Sequence, residues 1–512
     1  MIFNVAIIAS RDEPNAFHGF DSVHCQTVGS SRAAMADAFV ADEFVTTHGY
    51  PRGRRTNQFT ESILMPATKS ELLQTDLAHL IHPLHNRKLH EAAAHVWVRG
   101  EGAILVDADG KEYIDGLSGL WNVVAGHGRK ELAEVAARQM ETLAYCSGYA
   151  GSSNPIAIQL AERLAGLAPP SIRRFFFTSG GGEASDTCFK TARYFWRMQG
   201  RPEKTKVIAR QWGYHGNTLG ATAATGITSY WPMFEPRVPG FVHIPSPYPY
   251  RYVAPPGVSP GIAAANELEQ AILREGSETV SMFIAEPVQG AGGVIVPPDD
   301  YFPRIREICD QYDVLLASDE VITGFGRTGT MWGLNHWGVQ PDLIQFAKAI
   351  TSGYFPFGGV GMSERIANVL DTGEMTWMHA YTYSAHPVGC AVALRTLDII
   401  EREDFPTQAA EKGAYLLNQL RDALASHPHV GDVRGKGLMC GVELVQDKST
   451  KTDYPASDGI GHKVHLAAQR RGLFTRLRGD VFCLAPPIIT PIKLLDRIVE
   501  ILTESVHEVL GS

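Results

Sequence analysis

Between about residues 173 and 350, short apolar runs alternate with amphipathic stretches, and this alternation narrows the fold more than any other feature. The runs are RRFFFTS, KVIARQ, VSMFIAEP, DVLLASDE and DLIQFAK, and an amphipathic helix, YFPRIREICDQY, separates two of them. Apolar strands joined through helices form parallel sheets covered on both faces, with ligands beyond the carboxyl ends of the strands. Two of the runs end on chemistry. DVLLASDE carries Asp319 at its tip and DLIQFAK ends at Lys348, 29 residues later (348 − 319). Lysine is costly to bury and is a nucleophile only when deprotonated. At the tip of a buried strand it suggests Schiff-base chemistry with a carbonyl cofactor. Taken alone, Lys348 is equally a snorkelling side chain and Asp319 the partner of a structural arginine.

The flanking segments read differently. Residues 1–64 are rich in Ser, Thr, Gly, Arg and His and lack a sustained period, so they read as an extension, in part without a fixed fold. Acidic residues close behind MIFNVAIIAS argue against a signal peptide. Met65 opens a more regular pattern, and the functional protein is expected to start there. Residues 95–115 read as a hairpin of two alternating runs. ELAEVAARQMETL and NPIAIQLAERLAGL have helical spacing. After about residue 390 come two long helices, a strand in GKGLMCGVELV and a final helix, IKLLDRIVEILTESVHEVL. The expected division is an extension (1–64), an N-terminal segment (65–130), a large domain (131–388) and a C-terminal segment (389–512). The second and fourth pieces together build a smaller α+β domain.

Composition removes several classes of function. The 512 residues are 44% hydrophobic and 20% charged, an ordinary globular balance, and a net charge of −9 argues against a nucleic-acid surface. No apolar run approaches the ~20 residues of a membrane span. The seven cysteines are scattered, odd in number and without a CxxC pair, so reduced thiols in a cytoplasmic protein are expected.

Three further motifs bear on the site. In FFFTSGGGEASD a strand runs into glycines 180–182 and then a helix starting near Glu183. Free amides and the helix dipole there suit a phosphate held at Gly181 and Gly182, although a plain Gly-rich turn explains the motif equally well. In QWGYHGNTLG, Tyr214 follows a strand and is placed to stack on a planar ligand, with His215 in support; core packing is the ordinary alternative. GFGRTG at 324–329 matches GxGxxG, but no convincing helix follows and no acidic residue ends a strand about 20 residues on, against a dinucleotide fold. The histidines at 79, 82, 85 and 90 read as surface or packing residues. Pro83 breaks their spacing, no acidic or cysteine ligand completes a set, and no metal is expected.

Together LLASDEVITGFGRTG, PDLIQFAKAITSGY and HAYTYSAHP resemble the class III pyridoxal-phosphate aminotransferases, the ω-aminotransferase branch of the fold type I enzymes, from about residue 80 to the C-terminus. The resemblance implies pyridoxal 5′-phosphate in Schiff-base linkage to Lys348, with Asp319 on the ring nitrogen. It also implies Tyr214 and Val321 on the two ring faces and Gln289 reaching the ring 3-oxygen. Gly181 and Gly182 would hold the phosphate, and Thr382 would reach the phosphate of a neighbouring subunit. A homodimer with shared sites follows, or a tetramer built from it. The family's N-S-G-S-E-A-N-D is here Ser179-Gly180-Gly181-Gly182-Glu183-Ala184-Ser185-Asp186, so a phosphate-binding hydroxyl is missing at 182. DGLSGLWNVVAGHGR and FTRLRGD resemble the branch that pairs amines, β-alanine or taurine with pyruvate. That implies Trp121, Tyr149 and Arg476 as substrate residues, Arg476 for the keto-acid carboxylate. Decarboxylases, racemases, aminomutases and lyases share the same core, and a non-catalytic cofactor-binding protein is a further alternative.

Overall fold

The computed structural model describes residues 68–511; the readings made for residues 1–64 and for a start at Met65 lie outside them. The described chain opens with two helices, Lys69–His79 and Arg87–Ala93. A meander follows: β1 (Trp97–Glu101), β2 (Ile104–Asp107) and β3 (Glu112–Asp115), each antiparallel to the next. The sequence suggests two runs here, but the chain turns a second time at Asp107. Its carboxylate accepts the amides of Asp109 and Lys111, both at 3.0 Å, and closes a tight turn. The two helices expected next are Lys130–Leu143 and Pro155–Leu167.

The central sheet has seven strands: β4 (Ile172–Thr178), β5 (Lys206–Arg210), β6 (Phe241–Ile244), β7 (Val280–Ala285), β8 (Leu315–Asp319), β9 (Leu343–Phe346) and β10 (Gly358–Ser363). Their order is β4-β10-β9-β8-β7-β5-β6. All pairs are parallel except those of β10, which is antiparallel to both neighbours. The five apolar runs are therefore strands of one mixed, mainly parallel α/β sheet of fold type I, and β6 and β10 are additions to the sequence reading. Period two along β7 shows why both faces are closed. Met282 and Ile284 pack with Ala192, Phe195 and Trp196 of the helix Gly181–Met198. Phe283 and Ala285 face the other way, toward Leu268, Ile305 and Ile308 of the helices Pro260–Glu275 and Tyr301–Gln311.

After the helices Pro387–Arg402 and Phe405–Leu424 come β11 (Val430–Gly435), β12 (Cys440–Leu444), β13 (Leu473–Phe474), β14 (Arg476–Arg478) and β15 (Val481–Leu484), then the helix Ile492–Leu510. Four of these strands form a sheet in the order β11-β12-β15-β14, while β13 pairs in parallel with β3, Leu473 opposite Ile114. The GFGRTG segment joins these pieces and is no dinucleotide loop. Arg327, fully buried, donates to Ser118 Oγ (2.8 Å) behind β3 and to the carbonyls of Pro486 (2.6 Å) behind β15 and Leu438 (3.3 Å). Among the described residues no helix is long and apolar enough to cross a membrane.

Candidate active site

A cavity of about 580 Å³ opens where the parallel strands end, the place at which ligands bind in such sheets. Behind β4 it is lined by Ser179 to Glu183, behind β5 by Tyr214 to Thr218, behind β7 by Glu286, at the tip of β8 by Asp319, and behind β9 by Lys348. Of the residues singled out by sequence, seven thus meet in one space: Gly181, Gly182, Tyr214, His215, Asp319, Val321 and Lys348. The helix Gly181–Met198 starts two residues earlier than the sequence suggests, so Gly181 and Gly182 form its first turn and their amides are free of intrahelical partners. At Gly181 an added Cβ would press Val321 at 3.2 Å, so glycine lets that wall stand close. At Gly182 it would meet Thr218 at 3.6 Å and Asn217 at 3.7 Å, ordinary contacts.

Asp319 is 2% exposed, and both of its oxygens are engaged. His215 Nδ1 stands 2.7 Å from Oδ2, and the Val321 amide donates to Oδ1 at 3.1 Å. A carboxylate held on both oxygens is fixed in orientation. His215, expected to support Tyr214, instead supports Asp319, and its own amide is tied to Thr225 Oγ1 at 3.0 Å. Lys348 begins a 3₁₀ turn with φ +50°, a left-handed conformation uncommon outside glycine and frequent at functional sites. Burial lowers its pKa below that of an ordinary lysine; Asp319 and Glu286 oppose the shift and Arg476 reinforces it.

Glu286 was not foreseen. It is 3% exposed, accepts the Tyr214 amide (3.0 Å) on one oxygen and the Gly290 amide (2.9 Å) on the other. Burial, reinforced by the charge of Asp319, raises its pKa to about 7. A signal was present: like Asp319, it closes an apolar run, in VSMFIAEP.

The other five residues stand elsewhere in the single chain. Gln289 is buried, accepting from Ser246 Oγ at 2.5 Å and donating to the Gln211 carbonyl at 2.9 Å. Trp121 is buried in the core with φ +66°, its indole N–H unpartnered among the described residues. Tyr149 and Thr382 are exposed, Thr382 accepting the Tyr145 hydroxyl on its carbonyl at 2.9 Å. Arg476 lies half-buried on β14, close enough to act on the charge of Lys348 and Tyr214.

A ligand that uses the amine, the carboxylate and the glycine amides together needs an electrophilic carbon, a basic ring nitrogen and an anion. Pyridoxal 5′-phosphate has all three, and this fold and site define a pyridoxal-phosphate enzyme of fold type I. The model of the aminotransferase class-III family matches residues 86–506, and the chain belongs to that family of amino-group transferases. It is 39% identical to a putrescine–pyruvate aminotransferase of Pseudomonas aeruginosa over 416 residues, 81% of this chain and 90% of that one. To a diaminobutyrate–2-oxoglutarate transaminase of Halomonas elongata it is 39% identical over 431 residues, 82% and 91% of the two. An (S)-enantioselective omega-transaminase from Thermomicrobium roseum has a similar crystal structure: TM-score 0.84, 48% identity, covering 87% of this chain and 99% of that one.

Proposed function

We propose that the protein moves an amino group from a primary amine or ω-amino acid to pyruvate, leaving an aldehyde or keto product and alanine, by a ping-pong sequence in this one cavity. Arg476 carries the reading. Its guanidinium has no hydrogen bond or ion pair among the described residues, although it is half-buried and near enough for its charge to act on Lys348. A partly desolvated, unpaired guanidinium takes a carboxylate bidentately and must swing toward water when an amine without one enters.

When bound, the cofactor supplies a carbonyl carbon that exchanges the amino group and a ring that delocalises charge from the substrate carbon. Lys348 would hold that carbon through its amine. Freed, and with its pKa lowered by burial, it takes the substrate's proton and returns it to a neighbouring carbon. Asp319 would pair with the protonated ring nitrogen, and His215 and the Val321 amide fix the orientation of its carboxylate. Tyr214 and Val321 would cover the ring faces, and the free amides at Gly181 and Gly182 would hold the phosphate. Gln289 is assigned the ring 3-oxygen, and Trp121 and Tyr149 the amine side of the pocket.

The proposal includes a homodimer in which Thr382 reaches the partner's phosphate. Support comes from its exposure beside Met378 (83% exposed) and Tyr383 (60%), an apolar rim suited to burial. It also divides the chain into a cofactor domain over 131–388 and a small domain from the flanking segments. The two outer sheets support this, since each uses flanking residues alone. Cytoplasmic residence is supported by the free thiols of all six described cysteines. A panel of amines (putrescine, β-alanine, taurine, arylalkyl amines) against pyruvate and 2-oxoglutarate tests the reaction. Alanine formed from pyruvate is expected. Carbon dioxide, racemised amine or an elimination product in its place would reject it, and glutamate formed only from 2-oxoglutarate would reject the acceptor.

A further inference from the structure

Away from the cavity, the helical hairpin at the start of the described chain gathers three metal-ligating side chains. Asp76 comes from the helix Lys69–His79, His82 from the turn after it, and His90 from the helix Arg87–Ala93. Asp76 Oδ1 and Oδ2 both lie 3.0 Å from His82 Nε2, and Oδ2 lies 2.6 Å from His90 Nε2. The two imidazoles stack, centroids 3.9 Å apart and planes 27° apart, so that both Nε2 atoms face one carboxylate. Sequence spacing set these histidines aside for want of an acidic ligand. The fold supplies it from the preceding helix and leaves His79 and His85 exposed outside the group.

We propose that Asp76, His82 and His90 bind a divalent first-row metal ion of the zinc class. Two imidazole nitrogens and one carboxylate oxygen, all within 4.8 Å of one another, make three ligands of a tetrahedral site. Imidazole selects against magnesium and calcium, which prefer oxygen. The side chains keep 19–29% of their surface exposed, so the fourth position opens to water or an external ligand. The local fold gives the ion a purpose. The helix Lys69–His79 has no fully buried side chain, Leu72, Leu73 and Leu77 being only partly covered. Its polar ties to other elements among the described residues are the Lys69–Asp109 ion pair, the Arg87 guanidinium on the Leu77 carbonyl at 2.8 Å, and this cluster. The turn is already set for convergence, Leu84 standing at φ +55° between the histidine-bearing segments. A metal here would staple the two helices together.

The test uses full-length, tag-free holoenzyme passed over a chelating resin, loaded with zinc and desalted, with metal counted by mass spectrometry. One zinc per chain is expected, and cobalt in its place should give the visible d–d absorbance of a tetrahedral site. Both should be lost in Asp76→Asn, His82→Gln and His90→Gln, each tested singly, and kept in a His79→Gln/His85→Gln double variant. Far-UV circular dichroism identical to wild type shows that each variant is folded. Zinc retained equally by the three ligand variants, zinc lost from the double variant, or a wild type that holds none would overturn the site. The last result would leave Asp76 as a carboxylate hydrogen-bonded between two imidazoles.

Discussion

Single side chains set the chemistry, and here the sequence is most legible where a charge ends an apolar run. Asp319 and Lys348 stand out because burying an unpaired charge is so unfavourable that only a partner or a function explains it. Lys348→Ala should lower turnover by at least about 10³-fold and abolish the visible absorbance of lysine-linked cofactor; an enzyme that kept both would end this account. Glu286 was legible by the same rule and was passed over. The pairing of His215 with Asp319 was not legible, because strand register sets it and spacing does not. At Gly182 this chain lacks a hydroxyl that its family's pattern carries, and a side chain fits there without displacing Thr218 or Asn217. Gly182→Ser should therefore add a hydroxyl donor at the phosphate end. One hydrogen bond to a charged group contributes about 1.5–3 kcal/mol, so cofactor should bind about tenfold tighter or better in equilibrium dialysis. Arg476→Ala should raise KM for pyruvate by roughly 10–100-fold, the scale of a lost charge-assisted pair, and leave the half-reaction with a simple amine nearly unchanged. Equal losses in both half-reactions would remove Arg476 from its role.

Elements obey their neighbours as much as their own sequence. Strand β10 reads GGVGMS and offers no apolar alternation, so it escaped the reading. It exists because Phe175 and Phe346 of the flanking strands lean across it. A Cβ at Gly359 would lie 2.6 Å from the Phe346 ring, and one at Gly361 2.6 Å from Ile172 and 2.9 Å from Phe175. Central-sheet glycine is a packing requirement here, visible only once β4 and β9 are in place. The GFGRTG segment has the spacing of a dinucleotide loop but serves as a clamp between elements. Burial lowers the Arg327 pKa to about 10, with Asp115 opposing, and the guanidinium joins segments behind β3, β11 and β15. Arg327→Met should leave those acceptors unsatisfied and cost about 2–4 kcal/mol of stability. Urea unfolding would read the loss, and a midpoint within error of wild type would mean the clamp is dispensable.

The molecule as a whole was legible in class, because alternating apolar and amphipathic segments leave few architectures open. Its outer sheets are legible in part, as the turns of residues 95–115 and the strand in GKGLMCGVELV, but the pairing of β13 with β3 joins segments far apart in sequence and leaves no local trace. Behaviour in acid also belongs to this scale. Burial holds His243, His379 and His465 at about 4, below the ordinary 6.5. As pH falls, the unfolded chain takes up these protons first. The stability they contribute is complete above about 6.5 and drains away between there and about 4. The urea midpoint should drop across that window, and His243→Gln should shallow the slope; a flat profile would contradict the burial argument. The union of β3 with β13 also bears on synthesis. On the ribosome β3 emerges well before its partner, because the whole central sheet is translated between Asp115 and Leu473. Until β13 follows, that strand edge is open, so a nascent chain that stalls between the two presents an unpaired edge to whatever binds such edges in the cell.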